Sequence, residues 1–190
     1  VNWLKKLYGV EDYQTLNREA EQLPPGSEGL IVQEHFQGNR TPHTDPLSRG
    51  VFHGLTLKHE RAHLFRAVIE GVSFGSELIL ETMRNNGFIP DRIVMAGGAT
   101  RSPLWLQIHA DVSNLPLTIT KVPDAPSLGC AILAATGAGL FPDVSTAVEK
   151  MVQVDRLVEP NSEVHQQYQP FYENYKETYN SMKKLRMGLE

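Results

Sequence analysis

A chain of 190 residues, 41% hydrophobic and 21% charged, has the make-up of one globular unit large enough to bury its own core. Eighteen Lys and Arg against 22 Asp and Glu leave a net charge of -4, so the basic excess needed to track a phosphodiester backbone is missing and nucleic acid is not an expected partner. The single cysteine, Cys130, rules out an internal disulfide and a Cys/His zinc finger and fits a reducing, cytoplasmic setting, while the longest apolar run, residues 129–141, is too short for the roughly 20 residues of a membrane span and reads as a buried helix.

The chain opens VNWLKKL, with neither an initiator Met nor a leader, which reads as an internal cut within a longer protein. Over residues 2–22, Leu4, Leu7, Tyr8, Val10, Tyr13 and Leu16 recur at helical spacing with a break at Gly9 and Val10, predicting two short helices. The cluster LPPGSE at 23–28 is a turn, and GLIVQEHF after it has the character of a strand. Residues 37–50, rich in Pro, Gly and polar turn formers, form a loop.

The longest helix signal runs from residue 59 to 85 or 86, with Gly87 as its stop. Along it Ala67, Gly71 and Gly75 recur every four residues and invite close approach by another helix or a strand. A strand–helix alternation follows: a buried strand at 92–96, a helix at 102–113, a strand at 117–120 and a helix at 127–139, the pattern of an α/β layer structure. A short helix at 144–151, an extended segment and a last helix at 161–185 complete the chain. Tyr168, Phe171, Tyr172, Tyr175 and Tyr179 share one face of that last helix, as in a helix docked on the domain body. Residues 1–160 are therefore expected as one domain and 161–190 as its docking helix.

Two constellations could carry chemistry. HERAH, residues 59–63, fits the HExxH pattern of zinc metallopeptidases: on a helix His59 and His63 would hold one Zn²⁺, Glu60 would act as general base, and Glu77 or Glu81 could be a third ligand. MAGGAT, residues 95–100, stands between a strand and a helix, where Gly97 and Gly98 remove side chains and let a flat ligand lie on the backbone. Ser102 is the expected N-cap of the helix that follows. With no GxxxxGK[ST] and no GxGxxG, neither a P-loop nor a dinucleotide fingerprint is present.

Gly50, Phe52, Gly54, Leu55, a seven-residue spacer, then His63, Leu64, Ala67 and Glu70 form a pattern that resembles the C-terminal signature of the FGGY family of carbohydrate kinases. RTPHTDP at 40–46, GGATRSPLWLQIHAD at 97–111, SLGCAILAATGAG at 127–139 and the tyrosine-bearing end resemble further segments of that family in the same order. The signature absorbs His63 and leaves His59 in the variable spacer, which weighs against zinc. The resemblance implies an α/β, ribonuclease H-like (actin-like ATPase) C-terminal domain, a mixed sheet with flanking helices. It also implies ATP and Mg²⁺ as cofactors, with Gly97, Gly98 and Ala99 on the adenosine moiety. Ser102 stands where some relatives place an Asn that reaches the nucleotide, and Gly129 permits close packing rather than touching ligand. The family's catalytic aspartate, sugar pocket and phosphate hairpins would lie upstream, in an N-terminal domain that is this chain's partner, so the chain alone is expected to be inactive. The acceptor it implies is a sugar or polyol, with a tilt to a pentulose, and self-association into a homodimer is compatible with the apolar surface a half-enzyme would expose. An actin- or chaperone-like nucleotide switch shares the architecture and is the alternative of a different class.

Overall fold

The computed structural model describes residues 2–9 and 12–188. Val10, read above as part of the first helical stripe, lies outside the described residues. Two short helices, α1 (Asn2–Leu7) and α2 (Tyr13–Glu21), open the chain. The second starts where the Asp12 carboxylate accepts the Thr15 amide as an N-cap. A 3₁₀ turn, Ser27–Gly29, leads into β1 (Ile31–Gln33), which pairs antiparallel with β2 (Val51–His53). That second strand, inside the signature, has no alternation to mark it in sequence, because its three residues are all at least partly exposed.

Helix α3 (Arg61–Asn85) is the axis of the molecule, packing against α2, β1, α4 (Pro103–Ser113) and α7 (Ser162–Met187). It ends at Gly87, whose φ of 86° is a conformation only glycine adopts freely. The four-residue spacing of Gly71 and Gly75 serves a strand: a Cβ on Gly71 would strike the Val32 carbonyl, and one on Gly75 would strike the Glu34 carboxylate. The main core gathers here, with Leu16, Val32, Phe65, Ile69, Phe74, Ile108 and Tyr175 all buried.

A mixed sheet forms the far layer. Strand β3 (Ile93–Met95) pairs parallel with β4 (Leu117–Thr120), which pairs antiparallel with β5 (Val154–Val158), the segment read only as extended. Helix α4 covers one face, closing a second core of Leu106, Ala110, Leu117 and Ile119. The other face is bare, so β3 is not the buried strand its composition suggested: Val94 is 60% exposed. Helix α5 (Ala125–Gly137) likewise is not buried, because it packs mainly on α6 (Val144–Met151) and hides only Ile132, leaving Leu133 62% exposed.

The tyrosine face of α7 docks as expected, and its polar ends explain the choice of Tyr over Phe. Tyr168 donates to Glu70, Tyr172 to Glu81, Tyr175 to Glu34 and Tyr179 to Asp45, one carboxylate for each ring. Asp45 belongs to the RTPHTDP loop, which Arg186 also grips through that carboxylate, and His43 of the same loop stacks on Tyr179 at 3.7 Å. The last helix thus straps the loop to the body.

Candidate functional site

The HERAH residues are built into a helix start. Helix α3 begins at Arg61, so His59 precedes it and does not share a helical face with His63. Glu60 is the N-cap of a capping box in which His63 Nδ1 accepts the Glu60 amide, while His59 Nδ1 accepts the amide of Thr56. Glu77 is paired with Arg84, and Glu81 with Tyr172 and Lys176. The expectation of a zinc set is corrected on these grounds, and among the described residues no three His, Cys, Asp or Glu side chains gather into a metal site.

The signature residues also hold scaffold. Residues 26–29 all have positive φ, including Ser27 at 47° and Glu28 at 55°, a left-handed run that is unfavourable for residues with a Cβ. Glu70, 1% exposed, stitches this run in place: Oε1 accepts the Gly26 amide at 3.0 Å and Oε2 the Ser27 hydroxyl at 2.8 Å. Arg66 donates to the same carboxylate at 2.8 Å and to the Ala20 carbonyl at 3.0 Å. Burial pushes the Glu70 carboxyl up from its usual range, against the pull of Arg66, Ser27 and Gly26. Gly54, with φ 89°, lets the chain pass against the Gly29 carbonyl. Gly50 makes room for the Phe36 ring.

The glycine turn lies at the edge of an open depression. Strands β3 and β4 run parallel, so their carboxyl ends lie side by side, one leading into α4 and the other into α5. At that edge opens a depression of about 470 Å³, lined by Ala96, Gly97, Gly98, Arg101, Pro123, Asp124 and Pro126. Gly97 takes φ 88° and ψ -166°, and its amide donates to the Pro123 carbonyl at 2.9 Å, which ties the two loops together. A Cβ on Gly97 or Gly98 would meet nothing within 4 Å, so both present bare backbone to open space. From β5, Arg156 donates to the Thr100 carbonyl at 3.0 Å, and the Thr100 hydroxyl to the Gly97 carbonyl at 2.8 Å, fixing the turn from behind.

Of the four residues expected at the nucleotide, Gly97 and Gly98 line the depression, whereas Ala99 and Ser102 do not. Ser102 is the α4 N-cap, its hydroxyl accepting the Trp105 amide at 3.2 Å and donating to Asn17 Oδ1 at 2.9 Å. Through these bonds the residue pins the turn to α2. Pro123 and Asp124 were missed because they come from a separate loop, and Arg101, on the same turn as Gly98, because nothing in the string marks its side chain for the depression. Asp124 caps α5, and its carboxyl is held below the usual range by hydrogen bonds from Ser127.

A mixed sheet flanked by helices, with the β3 and β4 carboxyl ends side by side, defines an α/β domain. The chain belongs to the FGGY family of carbohydrate kinases: the model of that family's C-terminal domain matches residues 3–138. A xylulose kinase of Staphylococcus epidermidis is 36% identical over 190 residues, covering 100% of this chain and 38% of the relative. The solved xylulose kinase of Lactobacillus acidophilus superposes with a TM-score of 0.87 at 31% identity, over 96% of this chain and 37% of that one. The gluconate kinase of the same organism gives a TM-score of 0.82 at 31% identity, over 91% and 35%. These likenesses give the chain the actin-like, ribonuclease H-like fold of such kinases, of which it spans well under half.

Proposed function

We propose that the chain supplies the adenosine side of the cleft in an ATP-dependent carbohydrate kinase whose acceptor is a pentulose of the xylulose kind. The observation that carries this reading is the bare backbone of Gly97 and Gly98 over the depression at the ends of β3 and β4. The acceptor follows the xylulose kinase relatives. In the reaction a sugar hydroxyl oxygen forms a bond to the γ-phosphorus, the bond to the β–γ bridging oxygen breaks, and the hydroxyl proton passes to a general base. That base, and the groups that clamp the phosphates, belong to segments outside this chain. Here the residues bind and orient the nucleoside. Gly97 and Gly98 receive it, with Ala99 next to them on the turn, and Ser102, Thr100 and Arg156 hold the turn rigid behind them. The described residues offer no cation-binding cluster, so no step on this chain is assigned to Mg²⁺.

Val94, Leu133, Leu140 and Leu157, all more than half exposed, form the apolar surface we assign to contact with the remaining segments of the kinase. Helix α7 is then the docking helix of the same domain, as its tyrosine bonds support.

The test is an NMR titration of the chain with ADP. Amide shifts centred on Gly97 to Ala99 are the expected result, with no turnover of xylulose and ATP by the chain alone. A silent turn at millimolar ADP, or sugar phosphorylation by the isolated chain, would overturn the assignment.

A further inference from the structure

Arg101 stands on the wall of the glycine depression, and its exposed guanidinium has no hydrogen bond or ion pair among the described residues. Several other arginines are engaged: Arg61 with Glu19, Arg66 with Glu70, Arg84 with Glu77, Arg186 with Asp45. An unpaired arginine beside a ligand-sized hollow is available to a ligand. The rest of the lining decides which part of a nucleotide it meets. Gly97 and Gly98 offer flat backbone, and Pro123 and Pro126 apolar rings with no donor. The one helix N-terminus that reaches the hollow, that of α5, is already capped by Asp124, whose carboxylate accepts the Ser127 amide at 3.2 Å and hydroxyl at 2.7 Å. An anionic cap that already takes the Ser127 amide, next to a Pro126 that has none to give, repels phosphate and favours an uncharged planar group.

We propose that Arg101 lays its planar guanidinium on the base of the bound nucleotide, closing over a ring whose other face rests on the Gly97–Gly98 backbone. Arginine suits this role because its weakly hydrated planar cation stacks on aromatic faces, whereas lysine is a compact, strongly hydrated point charge. Arg101 would then set affinity at the nucleoside end and leave the phosphates to other groups. This rests on the depression being the nucleoside site.

The experiment measures binding of ADP and of adenosine to the wild-type chain, Arg101→Ala and Arg101→Lys, by calorimetry with amide spectra recorded in parallel. Stacking on the base predicts that Arg101→Ala weakens ADP and adenosine by the same factor, about five-fold for an exposed cation–π contact, and that lysine recovers little of it. Loss confined to ADP, with recovery by lysine, would mean a phosphate contact and would overturn the proposal. Unchanged affinity for both ligands in Arg101→Ala would overturn it as well, while leaving the glycine turn as the site. Failure of the parent reading is separate: there the wild-type amides of Gly97 and Gly98 do not respond to ADP at all. Folding is controlled by overlay of the amide spectra away from the hollow, and the side chain is exposed.

Discussion

Replacing Glu70 by Gln isolates the charge of the signature acid from its hydrogen bonds. Oε1 takes three donors, Gly26 N–H, Arg66 Nε and the Tyr168 hydroxyl, and Oε2 takes only the Ser27 hydroxyl. A glutamine can set its carbonyl oxygen at the first place and its NH₂ at the second, where the Ser27 hydroxyl turns to accept. All four contacts then survive, and Arg66, 6% exposed, keeps its bonds to the residue 70 oxygen, the Ala20 carbonyl and the Tyr168 hydroxyl but has no counter-charge. Removing one partner of a buried pair costs about 3–5 kcal/mol, and the retained bonds place this variant near the lower end. Glu70→Ala adds the loss of the two bonds that hold the left-handed run, where Ser27 and Glu28 each carry roughly 1 kcal/mol of backbone strain, and should exceed it by about 2 kcal/mol. Arg66→Leu combined with Glu70→Gln removes the stranded charge, so the double variant should be more stable than the two separate losses sum to, by about 2 kcal/mol. Urea unfolding followed by circular dichroism measures the wild type, Glu70→Gln, Glu70→Ala, Arg66→Leu and the double variant. A Glu70→Gln loss below about 1 kcal/mol, or additive losses in the double variant, would refute the account of Glu70 as a charge anchoring residues 26–29.

Two further outcomes follow from particular residues. Gly98→Val puts a branched side chain into open space, where it meets nothing in the fold; stability should move by less than about 0.5 kcal/mol while ADP affinity falls more than ten-fold, and unchanged affinity in calorimetry would show that the ligand lies elsewhere. Burial pushes His109 down to about 4, so between pH 4 and 6.5 the unfolded chain takes up a proton that the folded chain refuses, and stability is lost as the pH falls through that window. Burial pushes Glu34 and Glu77 up to about 7, and these act in the opposite sense, favouring the folded chain as the pH falls from 7 towards 4.5. His109→Gln removes one term: relative to the variant, wild type should lose up to about 1.4 kcal/mol per pH unit on acidification, and parallel stability curves in urea would disprove the assignment.

The elements written in local residues were legible in the sequence; those defined by what lies across space were not. Helix α6 and strand β4 fall at the expected 144–151 and 117–120, and α3 ends at Gly87, because a cap, a run of β-branched residues and a left-handed glycine act within a few positions. Strand β2 had no such mark, and the exposure of β3 and α5 depends on whether a neighbour covers them, which composition does not report. HERAH misled because a capping box and a zinc motif use the same residue types three and four apart; only the helix start at Arg61 separates them.

The site and the signature differ in legibility for a physical reason. Glu70 serves four partners from three elements, so the pattern around it is long and recognisable, and it identifies the family while holding scaffold. The depression needs little more than the absence of side chains at Gly97 and Gly98, a mark that any strand-to-helix turn can carry. Arg101 follows on the same turn, and the facing wall, the Pro123 to Pro126 loop, is brought to it by the parallel pairing of β3 with β4 and by the bond from the Gly97 amide to the Pro123 carbonyl. A site assembled by strand register has its chemistry divided between distant loops, so the residues that discriminate among ligands become visible only once the sheet is formed.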